Sequence, residues 1–185
     1  MTMHVHNTDT LRRLLLPGWL DSPAAHWQSR WQALHGCERV DQSDWLWPKR
    51  GDWMARLDEV VQSSPQPAVL IAHSLGCHLV AAWAAHSQHT RRVRAALLVA
   101  PPDTERADMP PNLANWRVPV RRRLPFPSLV VASSEDPYCA PHPSARLAAD
   151  WGSETVCIGA RGHINDASGL GDWPEGWALL GSLVR

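Results

Sequence analysis

Neither sign of charge predominates in this chain: 18 lysines and arginines stand against 18 aspartates and glutamates. With no net field, attraction to nucleic acid or to an anionic membrane is not expected. The short basic runs Arg91-Arg92-Val93-Arg94 and Arg121-Arg122-Arg123 read as a solvated helix end and a loop. Cysteine is sparse. Cys37, Cys77, Cys139 and Cys157 lie far apart without a CxxC pair, which argues against a disulfide scaffold or a zinc site and fits reduced thiols. Long apolar runs are missing too. Leu14-Leu15-Leu16 stops at Pro17, too short for a secretory signal or a membrane span, so a soluble, cytoplasmic protein is expected. Gly18 and Gly76 each stand alone after apolar segments, with no glycine-rich phosphate loop, and the histidines and acids show no metal-ligand spacing. No cofactor and no metal are expected. One tyrosine and one phenylalanine accompany 11 tryptophans. Tryptophan joins a large apolar face to an N–H donor, and most of the eleven are expected to be structural.

What is present is an alternation of apolar runs and amphipathic stretches along 185 residues, enough for one domain over 1–185 with a flexible start over 1–10. Strands are expected at Leu11–Leu16, Arg39–Gln42, Ala68–Ala72, Ala95–Ala100, Ser128–Ser133 and Glu154–Ile158. Helices are expected at Ala24–His35, Asp52–Val61, Leu75–His86, Pro143–Trp151 and Pro174–Val184. In the first helix Trp27, Trp31 and Leu34 share one face; in the second Trp53, Leu57, Val60 and Val61 form the stripe. Near-continuous apolar strands separated by helices predict an α/β protein, a three-layer α/β/α sandwich around a mostly parallel sheet. Ligands bind such sheets at the carboxyl ends of the strands. The stretch Thr104–Pro127 has no clear period and is long for a plain connection, which marks it for function.

Ala72-His73-Ser74-Leu75-Gly76 lies between the apolar strand Ala68–Ile71 and a helix. Strand, sharp turn with a serine, then helix is the layout of a nucleophile elbow. The strained turn requires small residues two before and two after the serine, and Ala72 and Gly76 meet that need. The turn lifts the serine hydroxyl above the sheet and aims the Leu75 N–H at a developing oxyanion. After the first strand, Pro17-Gly18-Trp19-Leu20 offers a second donor, the Trp19 N–H, with that of Leu20 as substitute.

A serine nucleophile needs a base, and the base needs an orienting carboxylate. In this layout the chain order is serine, acid, histidine. Of the downstream histidines, His78, His86 and His89 lie on or beyond the nucleophile's own helix and His142 opens another. Only His163, in Gly159-Ala160-Arg161-Gly162-His163, follows the last strand and can hang over the sheet edge. For the acid, Asp136 follows the strand Ser128–Ser133 in a tight Asp-Pro turn; Glu135 is its rival and Asp103 a second. His73 either lines the pocket or packs, and Trp19, Trp45, Trp47 and Trp116 are candidates for the pocket walls.

These residues resemble the small single-domain α/β-hydrolases of the retinoblastoma-binding-protein-9 and YdeN type. The likeness covers nearly the whole chain: Pro17 through Pro23 with His26-Trp27-Gln28, the Ala-His-Ser-Leu-Gly elbow, Val99 to Asp103, Leu124 to Ser128, and Asp136-Pro137-Tyr138. It continues in Gly162-His163-Ile164-Asn165, Ser168-Gly169-Leu170-Gly171 and Trp173-Pro174, the most specific block. The sequence departs from the pattern at Pro17, where many members have histidine, and at Ala72, where glycine is commoner. The resemblance implies a minimal α/β-hydrolase fold without a large lid and a triad of Ser74, Asp136 and His163. The expected activity is carboxylesterase-like hydrolysis of small esters or amides in a shallow pocket. The alternative is a non-catalytic module that binds a protein partner.

Overall fold

The structure, a computed structural model, describes residues 11–185; the flexible start expected over residues 1–10 lies outside the described residues. Its strands are β1 (Arg12–Leu16), β2 (Glu38–Arg39), β3 (Ala68–His73), β4 (Val93–Val99), β5 (Ser128–Ala132) and β6 (Glu154–Cys157). They make one six-stranded sheet in the order β2-β1-β3-β4-β5-β6, parallel at every pairing. The helices are α1 (Trp27–His35), α2 (Arg50–Gln62), α3 (Leu75–His86), α4 (Pro141–Trp151) and α5 (Pro174–Leu183). This is the expected α/β sandwich.

Both faces of the central strands are buried, and their side chains divide between the faces with the period of two that a strand imposes. Leu14, Leu16, Leu70, Ala72, Ala96, Leu98 and Val130 join one core with residues of α2, α3 and α4. Leu15, Val69, Ile71, Ala95, Leu97, Val99 and Val131 join the other with residues of α1 and α5. Strands β3, β4 and β5 therefore read as near-continuous apolar runs in sequence, because neither face meets water there.

The abundance of tryptophan has a structural reason. Trp27, Trp31, Trp53, Trp83, Trp116 and Trp151 are among the largest fully buried side chains. Each indole N–H also donates to an acceptor on another segment: the carbonyls of Ile164, Asp172, Asp44, Pro48 and Val120, and the Asp58 carboxylate. Phenylalanine would fill the same space without tying the loops to the core.

Several element boundaries differ from the sequence expectation. α1 begins only at Trp27, because the His26 Nδ1 accepts the Gln28 N–H and caps the helix there. Leu34, expected on the buried face of α1, is 55 % exposed. Strand β2 is only Glu38–Arg39, with the Val40 N–H donating once more to the Leu15 carbonyl of β1 at 2.9 Å. The 104–127 stretch forms a short 3-10 helix at Pro111–Trp116, anchored by buried Leu113 and Trp116.

The chain leaves β1 toward β2 on one side and returns to β3 on the other. The crevice above β1 and β3 is therefore the topological switch point, where open parallel sheets bind ligands.

Candidate active site

Ser74 follows β3 at φ 54° and ψ −124°, a conformation outside the allowed regions for an L-residue and one that stores strain. Close approach on both sides explains the small neighbours. A methyl group on Gly76 would meet the Leu16 carbonyl oxygen at 2.2 Å, so the first turn of α3 can cross the end of β1 only with glycine. A methyl group on Gly18 would lie 2.7 Å from Ser74 Cβ, 3.1 Å from the His73 carbonyl oxygen and 3.2 Å from Leu75 N. The Gly18-Trp19 backbone is thus pressed against the elbow. Ala72 is fully buried with no departure from the sheet register of β1 and β3.

The acid and base candidates come from the ends of β5 and β6. Those ends are tied together: the Ser134 N–H donates to the Gly159 carbonyl, and the Arg161 N–H donates to Ser133 Oγ at 2.9 Å. The Asp-Pro turn then places Asp136, whose side chain is only 3 % exposed, under the His163 ring. Both Asp136 oxygens lie 3.0 Å from His163 Nδ1, and Oδ1 also accepts the Tyr138 N–H at 2.9 Å. A carboxylate only accepts, so Nδ1 bears the proton and Nε2 is left as an acceptor. Ser74 Oγ lies 2.9 Å from that Nε2 and donates to it. Glu135 is exposed at the turn, and Asp103 accepts the Glu105 N–H instead, so neither rival meets the imidazole.

The block after His163 works as a small knot. Asn165 caps the 3-10 turn Asp166–Ser168 with a reciprocal capping box, and Ser168 Oγ donates back to the Arg161 carbonyl at 2.6 Å. The loop is thereby closed around the base. Tyr138 stands edge-on to the His163 ring at 4.6 Å.

As the first residue of α3, Leu75 presents a backbone N–H free of intrahelical partners at the helix N-terminus. The Leu20 N–H donates to the Trp45 carbonyl at 3.2 Å. Leu20 is therefore spent elsewhere, which leaves the Trp19 N–H as the second donor candidate.

A cleft of about 530 Å³ opens over Ser74, its rim formed by Trp19, Leu20, Met109, Leu113 and Tyr138 among others. This volume is ordinary for a small-molecule site. The 104–127 stretch supplies Arg106, Asp108, Met109, Pro110 and Leu113, in line with its reading as a functional loop. Of the tryptophans expected as walls, only Trp19 lines the cleft. Trp116 is buried and donates to the Pro48 carbonyl, Trp45 stacks edge-on to Trp53, and Trp47 points to solvent away from it. The sequence reading missed the Arg106–Asp108 ion pair at the cleft, since an Arg two residues before an Asp in a loop carries no distinguishing pattern. His26 and His73 also line the cleft. Burial lowers the His26 imidazole to about 4 and holds that of His73 well below the usual histidine range, so both are neutral.

Among the described residues no group of His, Cys, Asp and Glu could hold a metal ion, and no helix is long and apolar enough to cross a membrane.

A parallel sheet with a strained serine at its switch point, and a histidine and an aspartate from the following strand ends, defines an α/β-hydrolase. The family model for serine hydrolases matches residues 13–182, and the chain belongs to that family. Among solved structures it is similar to a YdeN-like hydrolase of Pectobacterium atrosepticum, with 29% identity, a TM-score of 0.80, and coverage of 95% of this chain and 91% of the other. The YdeN protein of Bacillus subtilis shares 20% identity at a TM-score of 0.71, covering 94% and 98% of the two chains. The carboxylesterase CesB of Bacillus subtilis shares the fold at 14% identity and a TM-score of 0.63, over 96% and 84%. No curated protein matches the sequence.

Proposed function

We propose that this chain hydrolyses small carboxylic esters or amides through an acyl-enzyme on Ser74. The observation that carries the reading is the continuous hydrogen-bond line from Asp136 through His163 to Ser74, with spacings of 3.0 Å and 2.9 Å. In the proposed cycle His163 Nε2 takes the Ser74 proton as the oxygen attacks the acyl carbon. Asp136 stabilises the imidazolium and holds its tautomer. The Leu75 and Trp19 N–H groups receive the developing oxyanion, a contribution of about 3–4 kcal/mol per donor. His163 returns its proton to the leaving alcohol or amine. It then activates a water that displaces the acyl group and frees Ser74. Support also comes from the cleft, whose lining includes the apolar side chains of Trp19, Met109 and Leu113 and whose volume is about 530 Å³.

A fluorophosphonate probe tests this reading. Folded wild-type protein is expected to take up one label on Ser74, and Ser74→Ala to take up none. Folded protein that resists the probe and leaves short acyl esters intact would refute the catalytic reading and leave the fold as a binding module.

A further inference from the structure

Two consecutive carbonyls of the base loop are each met by a buried N–H from a different element. His73 Nε2 lies 2.9 Å from the His163 carbonyl oxygen, and Trp27 Nε1 donates to the Ile164 carbonyl at 2.8 Å. A carbonyl only accepts, so the His73 proton sits on Nε2. Both side chains are buried, at 5 % and 1 % exposure. Neither contact takes part in the chemical steps above.

The turn they hold is not held by its own loop alone. Ile164 sits at φ 50° and is fully buried. A β-branched residue adopts this left-handed conformation only where its surroundings enforce it. The twist lies directly between His163, whose ring meets Ser74, and the chain that continues toward α5. Within the loop, the Ile164 N–H reaches the Arg161 carbonyl at 3.2 Å, and Ser168 Oγ accepts the Asn165 N–H and donates to the same carbonyl. The two carbonyls of the turn itself are gripped from α1 and from the end of β3. His73 is the last residue of β3 and precedes Ser74 directly. One rigid strand end thus carries both the nucleophile and the donor that grips the backbone of the base. His73 also fills the space behind that base, with ring centres 4.9 Å apart, and is itself packed by His26 at 4.6 Å.

We infer that His73 is a positioning residue for the base, its imidazole N–H clamping the His163-Ile164 turn together with the Trp27 indole so that the His163 ring stays within reach of Ser74. The inference rests on the triad reading proposed above. It gives a role to the residue before the serine and to the tryptophan of His26-Trp27-Gln28, which lies far from Ser74 in sequence.

The test compares His73→Phe, which keeps a ring but loses the donor, with His73→Gln, whose amide N–H extends about as far from the backbone. Turnover of a short acyl ester and the rate of fluorophosphonate labelling are the readouts. His73→Phe is expected to lower kcat by roughly tenfold to a hundredfold with KM nearly unchanged, because a misplaced base slows chemistry without weakening binding. His73→Gln is expected to recover most of the loss, and labelling to follow kcat. Trp27→Phe is expected to lower kcat in the same sense and serves alone if His73→Phe does not fold. Unchanged kcat in a folded His73→Phe or Trp27→Phe variant overturns the inference, as does an equal loss in His73→Phe and His73→Gln. Wild-type protein that takes no label refutes the triad reading instead, so the two failures are distinguishable.

Discussion

Gly18 gives the sharpest test of the oxyanion geometry, because a single methyl group is the whole perturbation. Gly18 is not at positive φ, so alanine brings no backbone strain of its own. The added carbon would lie 2.7 Å from Ser74 Cβ and 3.2 Å from Leu75 N. Two carbons rest in contact at about 3.5–4.0 Å, so the Gly18-Trp19 segment must retreat from the elbow by roughly 1 Å. The retreat moves the Trp19 N–H off the proposed oxyanion position and crowds the Leu75 N–H beside it. A displacement of that size costs on the order of a hundredfold in kcat, or about 2.7 kcal/mol of transition-state stabilisation. Outright loss of one donor sets a ceiling of roughly a thousandfold. Steady-state hydrolysis of p-nitrophenyl acetate by Gly18→Ala measures the effect, with thermal melting alongside to confirm that the protein folds. KM is expected to change little, since the ground-state carbonyl gains less from the donors than the oxyanion does. A folded Gly18→Ala protein whose kcat stays within about threefold of wild type would refute the placement of the Trp19 donor.

Two further outcomes follow from other parts of the molecule. Asp136→Asn turns an obligate acceptor into a group that can donate to His163 Nδ1, favouring the wrong tautomer, and kcat is expected to fall by about 10⁴-fold in the same ester assay; a loss of less than about tenfold would exclude Asp136 as the orienting acid. Acid should also destabilise the fold earlier than carboxylates alone would cause, because burial lowers His26 and His78 from 6.5 to about 4. Below pH 6.5 an unfolded histidine takes up a proton that its folded counterpart refuses. The unfolded state then binds more protons, and stability is lost as pH falls from about 6.5 toward about 4, by up to about 3 kcal/mol for each group. Urea unfolding across that range checks this, and a midpoint as high at about pH 5 as at about pH 7.5 would contradict it.

Much of the fold was legible because burial on both sides of a parallel sheet leaves an unambiguous apolar signal. Val69-Leu70-Ile71 and Ala96-Leu97-Leu98 read as strands from composition alone, since no polar residue is tolerated on either face. The edge was less legible. Strand β2 is two residues long and its partner is set by β1, with the Arg12–Glu38 ion pair beside the junction, so sequence placed it one residue late and too long. Leu34 illustrates the same limit: helical spacing put it with Trp27 and Trp31, but α5 covers only the face that those two present. In the cleft, Trp45, Trp47 and Trp116 were plausible walls by residue type alone. Where an indole goes depends on which carbonyl lies within reach of its N–H, and that is a property of the folded chain.

The sequence by itself determined the serine turn, because its sharpness admits only small residues around Ser74, and it placed Asp136 and His163 after Ser74 along the chain. It also carried the α/β class, through the burial of the central strands on both faces. The tertiary structure decided which carboxylate meets the His163 imidazole and which donors grip the His163-Ile164 turn. Those choices depend on hydrogen bonds between residues as far apart as Trp27 and Ile164. Local propensity cannot encode such partners, because it is the closing of the sheet that brings them within 3 Å.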